Sequence, residues 1–166
     1  MNLNEFKKCA NQLDENKTHL LKKTILMYKD IIILGNGGSN AISQHISEDY
    51  TKMLNKRAIC FGDSARMSCY ANDYGWENSY KMFVEQFADI KTLVILISSS
   101  GNSPNIINAA NFCEENKIPM ITMSGFSKEN TLKSKFENSS LLHFWIDSTD
   151  YGIIECLHEL ILHSIL

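Results

Sequence analysis

The stretch LVILISSSGNSPNIINAAN, residues 93–111, decides the fold, because an apolar run passes through a hydroxyl-rich turn directly into a helical pattern. The continuous apolar run predicts a strand at 92–98 and is typical of a strand that is buried on both faces of a parallel sheet. The turn, SSSGNS at 98–103, places four serines and a glycine within six residues. The pattern from 103 to 116 then predicts a helix. A strand that leads directly into a helix is the unit from which parallel α/β sheets are built.

The same alternation continues on both sides of this unit. Further strands are predicted at 31–35, 57–61, 118–125 and 141–146. Helices are predicted at 3–28 with a split near 14–17, at 38–53, at 64–88 with a break near 72–75, between the last two strands, and at 152–165. This order predicts an α/β protein with a doubly wound parallel sheet. We expect one domain over 1–166, in which an N-terminal helical segment (1–29) precedes an α/β sandwich (30–166).

The composition excludes several classes of protein. Hydrophobic residues make up 44% and charged residues 21% of the chain, and the net charge is −3, so no basic surface for nucleic acid is expected. No apolar run approaches the roughly 18–20 residues of a membrane span, and the N-terminus lacks the apolar centre of a signal peptide. The five cysteines are scattered and form no CxxC pair. We therefore expect reduced thiols and a cytoplasmic protein.

Two loops at the same edge of the predicted sheet indicate an anion site. Ligands of such sheets bind beyond the carboxyl ends of the strands, where GNGGSN (35–40) and SSSGNS (98–103) lie. Glycine allows the backbone to approach an anion, and the following helix offers free N–H groups. Helix capping alone needs one serine. We interpret SSSGNS as a phosphate-binding loop of neutral donors, whereas GNGGSN matches neither GxGxxG nor GxxxxGK[ST].

Two helices carry candidate acid–base or metal-binding side chains. His45 and Asp49 stand four residues apart and so share one helix face. The alternative is a surface pair that contributes a few tenths of a kcal/mol. On the last helix, Glu155, Glu159 and His163 lie on the polar arc, and geometry alone makes Glu159–His163 as good a pair as Glu155–His163. We expect His158, the remaining polar residue of that arc, to be a structural hydrogen-bond partner.

Five segments together resemble a known family. They are GNGGSNAISQHISED (35–49), CYANDYG (69–75), LISSSGNSPNIINA (96–109), ITMSG (121–125) and IIECLHELILH (153–163). In this order the chain resembles the sugar-isomerase (SIS) domain, and specifically the bacterial phosphoheptose isomerases. The resemblance implies a flavodoxin-like SIS sandwich, assembled as a homotetramer or dimer with active sites between subunits. It also implies a phosphosugar isomerase that converts sedoheptulose 7-phosphate into D-glycero-D-manno-heptose 7-phosphate through an enediol, for lipopolysaccharide and capsule synthesis.

The resemblance implies roles for particular residues. Those implied to hold the sugar phosphate are Ser98, Ser99, Ser100 and Ser103. Those implied to contact or enclose the sugar are Asn36, Gly37, Gly38, Asn72, Asp73 and Glu155. The ligands implied for a divalent metal, zinc in the family, are His45, Asp49, Glu155 and His163. Of these, Asp49 and His163 are the implied catalytic proton-transfer groups.

Two positions depart from the family pattern. Asp49 stands where the family has Glu and is shorter by one C–C bond of about 1.5 Å. Its neighbour Glu48 points about 100° away around the helix and is a poor substitute. Glu155 stands where the family has Gln and adds a negative charge. Two carboxylates and two imidazoles remain a suitable set of ligands for zinc or another divalent metal.

Two other functions stay open from the sequence. The shorter Asp49 is compatible with an isomerase of a different ketose phosphate. A non-catalytic SIS protein that binds or senses a sugar phosphate is the alternative from another class. Retention of His45, Asp49 and His163 together argues against the second, because a degenerate site has no reason to keep all three.

Overall fold

A computed structural model describes residues 1–166 and contains one sheet of five parallel strands. The strands are β1 (Asp30–Gly35), β2 (Arg57–Cys60), β3 (Thr92–Ser98), β4 (Met120–Ser124) and β5 (Leu142–Trp145). Their order across the sheet is β2-β1-β3-β4-β5, so β1 and β3 are neighbours although three helices and a strand separate them along the chain. This is the flavodoxin-like order, and it confirms the predicted α/β fold with a doubly wound parallel sheet.

Eight helices flank the sheet. They are α1 (Leu3–Ala10), α2 (Glu15–Met27), α3 (Gly38–Leu54), α4 (Ser64–Tyr74), α5 (Trp76–Phe87), α6 (Pro104–Glu115), α7 (Thr131–Phe136) and α8 (Tyr151–His163). Gly75, whose φ is +77°, separates α4 from α5 at the predicted break. None of the eight helices combines the length and the apolar character that a membrane span requires.

The core consists of two layers, one on each face of the sheet. Ile31 and Ile33 of β1 pack with residues of α1, α2, α3 and α8, whereas Ile32 and Leu34 pack with residues of α4 to α7. Successive strand residues point to opposite faces, so a strand covered on both faces is apolar throughout. Every residue of β3 is buried for this reason.

The carboxyl ends of β1 and β3 form the switch point of the sheet. The helix after β1 packs on one face and the helix after β3 packs on the other, so the two loops diverge and leave a crevice. The amides of Asn36 and Asn105 join the two sides through reciprocal hydrogen bonds of 2.9 Å each. The Tyr80 hydroxyl donates to the Gly35 carbonyl over 2.5 Å. These contacts fix the position of both loops relative to the sheet.

Candidate active site

A cavity of about 330 Å³ lies at this switch point. The residues that line it are Asn36, Gly37, Gly38, Ser39, Ile97, Ser98, Ser99, Ser100, Ser103, Tyr151 and Glu155. The cavity therefore contains every predicted phosphate-binding and sugar-binding residue except Asn72 and Asp73. We call it the phosphate cavity.

Two hydroxyl groups of the serine loop bond within the loop and not with α6, since Ser98 Oγ accepts from the Gly101 amide and Ser100 Oγ accepts from the Asn102 amide, each over 3.2 Å. Ser98 Oγ lies 3.2 Å from Ser103 Oγ and 3.5 Å from Ser100 Oγ. Ser103 occupies the N-cap position of α6, yet its side chain makes no capping hydrogen bond. The Ser99 hydroxyl is buried and has no hydrogen-bond partner. A simple capping role does not explain these hydroxyls, and an anion in the cavity would satisfy the one left unpaired.

Two helix N-termini meet at the phosphate cavity. Gly37, with φ of +54°, precedes α3 and offers no side-chain cap, and α6 begins directly after Ser103. Free N–H groups and the helix dipole favour a negative charge at both ends. The lining contains no lysine or arginine, so recognition of an anion rests on neutral donors. Its one charged residue is Glu155, and burial raises the pKa of that carboxyl.

The serine loop is held in place by the segment that leads into α7. Gly101 has φ of +66° and its carbonyl accepts a hydrogen bond of 2.8 Å from the Leu132 amide. The Thr131 amide donates to Asn102 Oδ1 over 2.9 Å. These two hydrogen bonds join the serine loop to the start of α7.

A second cavity, of about 440 Å³, lies between α3 and α8. Its lining is Gly38, Ala41, Ile42, His45, Glu155, Cys156 and Glu159. Gly38 and Glu155 border both cavities, so the two are continuous at this point. A Cβ at position 38 would overlap the Glu155 carboxylate as it is placed here, so Gly38 allows this carboxylate to lie against the backbone. The phosphate cavity and this second cavity together form a groove, which we call the reaction groove.

Two imidazoles and a carboxylate converge beside the second cavity. His163 Nε2 lies 3.2 Å and His45 Nε2 lies 3.4 Å from the same oxygen, Asp49 Oδ2. The two imidazole rings are 4.9 Å apart between centroids. We call these three residues the His–Asp–His cluster. The structure thus brings together residues of α3 and α8 that are 114 positions apart in the chain.

The environment of Asp49 favours its ionised form. The side chain is 13% exposed, and burial acts to raise its pKa. The hydrogen bond with His163, the nearby His45 and the Lys52 ammonium, 3.5 Å away, act in the opposite direction and prevail. The pKa of Asp49 therefore lies below its ordinary value. A carboxylate with a lowered pKa stays charged and is suited to bind a cation, whereas it accepts a proton less readily.

Glu159 contacts both imidazoles at their other nitrogen. Its carboxylate Oε1 lies 2.9 Å from His45 Nδ1, and its backbone carbonyl lies 3.1 Å from His163 Nδ1. The sequence left Glu159 and Glu155 as equal partners for His163. The rotation of α8 turns the Glu159 side chain toward His45 and leaves Glu155 at the junction of the two cavities.

The His–Asp–His cluster fits a divalent cation. Its three ligand atoms all lie within 4.8 Å of one another. A tetrahedral ion with bonds of about 2.1 Å keeps its ligand atoms roughly 3.4 Å apart, close to the two separations from Asp49 Oδ2. Imidazole nitrogen and carboxylate oxygen are ligands that zinc accepts. Glu155, the fourth predicted ligand, is not among the residues within this distance.

Some predicted residues lie apart from the reaction groove, and some groove residues were missed. Asn72 and Asp73 are exposed at the end of α4, where the Asn72 amide donates to Asp73 Oδ1 over 2.8 Å. Ser39 and Tyr151 line the phosphate cavity but carry no signal in the sequence beyond their nearness to predicted residues. By contrast, the histidine at 158 is fully buried and contacts the Ser124 carbonyl, as the structural role predicts.

Comparison with known proteins identifies relatives along most of the chain. No protein-family model matches it. The chain is 33% identical over 144 residues to the phosphoheptose isomerase of Fusobacterium nucleatum, across 83% of this chain and 71% of that protein. It is 28% identical over 153 residues to the phosphoheptose isomerase of Buchnera aphidicola, across 89% of this chain and 77% of that protein. The solved structure of phosphoheptose isomerase from Neisseria gonorrhoeae shares the fold, with a TM-score of 0.87 at 22% identity over 98% of this chain and 89% of that chain.

Proposed function

This chain belongs to the phosphoheptose isomerase family, and we propose that it converts sedoheptulose 7-phosphate into D-glycero-D-manno-heptose 7-phosphate through an enediol. The observation that carries the proposal is the reaction groove, which joins an anion-binding loop of neutral donors to a cluster of acid–base groups. The phosphate of this sugar is at one end of the carbon chain and the reacting carbons are at the other. A groove with two chemically different ends matches such a substrate.

The phosphate end is bound by hydroxyl and backbone groups. Ser98, Ser99, Ser100 and Ser103 supply hydroxyl donors, and the N-termini of α3 and α6 supply N–H groups and a favourable dipole. The Asn36 side chain and the Gly37–Gly38 backbone then contact the sugar hydroxyls on the way to the second cavity.

The reacting end requires proton transfer at carbon and at oxygen. In the ketose, a base removes a proton from C1 while the C2 oxygen gains one, which gives the enediol. The proton is then returned to C2 while the C1 oxygen loses its own, which gives the aldehyde. We assign the transfer at carbon to Asp49, whose carboxylate lies 3.2 Å from His163 Nε2, and the transfer between oxygens to His163.

A divalent metal belongs to the proposal. His45, Asp49 and His163 would hold it, and zinc fits their nitrogen and oxygen donors. When bound, such an ion polarises the carbonyl and hydroxyl oxygens of the substrate. We propose that Glu155 contacts the sugar, because it lines both cavities and its pKa is raised by burial.

The proposal includes a homo-oligomer in the cytoplasm. Asn72 and Asp73 are exposed and outside the groove of their own chain, so they are free to close the groove of a second copy, as the family resemblance implies. The exposed apolar side chains Leu26 and Met27 on α2 are available for contact between copies. All five cysteines are free thiols, the form that a reducing compartment maintains.

The decisive experiment follows sedoheptulose 7-phosphate by NMR with the wild-type protein, with and without added zinc, and with Asp49→Asn. We expect the wild type to form the aldoheptose phosphate. Asp49→Asn should be inactive yet still bind the sugar phosphate, because Asn is nearly isosteric but accepts no proton. Glu48→Gln, which changes the charge of the exposed neighbouring residue, is the matched control and should remain active.

Two results would count against the proposal. If the wild type leaves the heptose phosphate unchanged in the presence of zinc, the substrate assignment is wrong. If Asp49→Asn turns over at the wild-type rate, Asp49 is not the base.

A further inference from the structure

We propose that Glu159 is a positioning residue, which directs Nε2 of both His45 and His163 toward Asp49. The side chain of Glu159 acts on one imidazole and its backbone carbonyl acts on the other. The inference rests on the proposed function in one respect, since it takes the His–Asp–His cluster to be the reacting and metal-binding centre. It concerns a residue to which the resemblance assigns no role.

The chemistry of the acceptors determines which nitrogen carries the proton. A carboxylate and a backbone carbonyl only accept hydrogen bonds, so the imidazole nitrogens that contact them must donate. His45 Nδ1 therefore donates to Glu159 Oε1, and His163 Nδ1 donates to the Glu159 carbonyl. Asp49 Oδ2 at Nε2 is an acceptor too, so a neutral ring can donate to only one of its two partners. The shorter contacts, 2.9 Å against 3.4 Å for His45 and 3.1 Å against 3.2 Å for His163, favour donation from Nδ1, which leaves the lone pair on Nε2.

The Nε2 lone pairs of both imidazoles face Asp49 Oδ2. His45 Nε2 and His163 Nε2 lie 3.4 Å and 3.2 Å from Asp49 Oδ2, which is itself an acceptor when ionised. With Nδ1–H on both rings these three acceptors repel one another unless a proton or a metal cation stands between them. A ring that donates its second N–H to a carboxylate or a carbonyl is also the usual arrangement of a metal-bound histidine. Glu159 thus prepares the cluster for a divalent cation.

The two imidazole contacts of Glu159 depend on different parts of the residue. The contact between His163 and the Glu159 carbonyl lies within one turn of α8 and persists with any residue at position 159 that maintains the helix. His45 is on α3, its side chain is 55% exposed, and its ring contacts only the Glu159 and Asp49 carboxylates among charged groups. Loss of the Glu159 side chain should therefore release His45 and leave His163 unchanged.

The competing explanation is an exposed ion pair without a role. The Glu159 side chain is 36% exposed, and such pairs commonly contribute little to stability. That explanation predicts no effect of Glu159 on the tautomer of His45 or on cation binding. The two explanations therefore differ in quantities that can be measured on the folded protein without any sugar.

The test compares Glu159→Ala and Glu159→Gln with the wild type. Glu48→Ala serves as the control, because it removes an exposed carboxylate of α3 that forms no hydrogen bond or ion pair with either imidazole. Imidazole nitrogen shifts are recorded by ¹⁵N NMR on the metal-free proteins at a pH where the rings are neutral. The affinity for Zn²⁺ is measured by calorimetry on the same samples.

We expect Glu159→Ala to move His45 from the Nδ1–H form toward a mixture of tautomers, while His163 keeps its wild-type shifts. Zn²⁺ affinity should fall about 10- to 100-fold, the usual effect of losing such a partner. Glu159→Gln should retain most of the affinity, because its amide oxygen can accept the same hydrogen bond. Glu48→Ala should match the wild type.

The inference is overturned if Glu159→Ala leaves both the His45 tautomer and the Zn²⁺ affinity unchanged, or if His45 shifts while the affinity does not. A shift of both histidines together would indicate a general disturbance of α8 and would also overturn it. Failure of the proposed reaction is a separate result: a wild-type protein that does not convert the heptose phosphate can still show the expected tautomer and Zn²⁺ changes.

Discussion

The serine loop offers the sharpest test of substrate binding. We consider the double variant Ser100→Ala with Ser103→Ala, which removes two hydroxyls from the phosphate cavity. Hydrogen bonds to a charged group contribute about 1.5–3 kcal/mol each, so two of them set an upper bound near 3–6 kcal/mol. Ser98 Oγ lies 3.2 Å and 3.5 Å from the deleted hydroxyls and becomes free to turn to the phosphate, which offsets part of the loss. We therefore expect a net loss of about 1–3 kcal/mol, roughly 5- to 150-fold in Kd.

The assay is calorimetric titration with the sugar phosphate and, separately, with inorganic phosphate. The fold should be unaffected, because Ser103 makes no capping bond to α6 and neither hydroxyl is fully buried. Ser68→Ala, at an exposed serine on α4 that bonds only its own helix backbone, is the matched control. Equal affinities for the double variant and the wild type, with both folded, would refute the anion-binding role of this loop.

Three further perturbations have defined outcomes. Gly101→Ala should lower both Tm and phosphate affinity, because Gly101 has a positive φ and an added Cβ would overlap Asn130 Oδ1, which caps α7. An unchanged Tm would contradict this prediction. Burial lowers the pKa of His143 and of His158 to about 4, so the unfolded chain takes up protons at a higher pH than the folded chain does. The free energy of unfolding should therefore fall between pH 6.5 and 4, by up to about 3 kcal/mol per histidine. A free energy of unfolding from urea titration that stays constant across this pH range would exclude the effect. Asp49→Glu should lower kcat and Zn²⁺ affinity, since the added length of about 1.5 Å pushes the carboxylate into both imidazoles. A rise in kcat would show that the site tolerates the longer acid.

The elements that are predictable from sequence are those determined by local pattern and two-sided burial. The run at 92–98 predicts β3 with its observed bounds, because every residue in it is buried. α7 shows the limit, since the sequence indicates only a charged helix somewhere between the last two strands. Its six residues begin where the Asn130 amide bonds Gly125 and Ser127, and such tertiary contacts leave no periodic signal.

Within the candidate site, spacing predicts neighbours on one helix but not the partner across helices. His45 and Asp49 share a face of α3 by the helical repeat alone. Glu155 and Glu159 both lie on the polar arc of α8, so only the rotation of α8 against the sheet decides which one reaches His45. That rotation follows from the packing of Leu157 and its neighbours in the core, a property of the whole fold.

Asp49 and Glu159 are best understood as parts of one arrangement. The family resemblance places Glu at position 49, and a shorter acid there withdraws the carboxylate by about 1.5 Å. A withdrawn carboxylate can still share a cation with two imidazoles only if both rings are turned toward it. Glu159 turns them, since its carboxylate engages His45 and its backbone engages His163, and both Nε2 atoms reach Asp49 Oδ2 within 3.4 Å. The shorter acid is therefore compatible with a working centre because orientation of the imidazoles makes up for the lost reach.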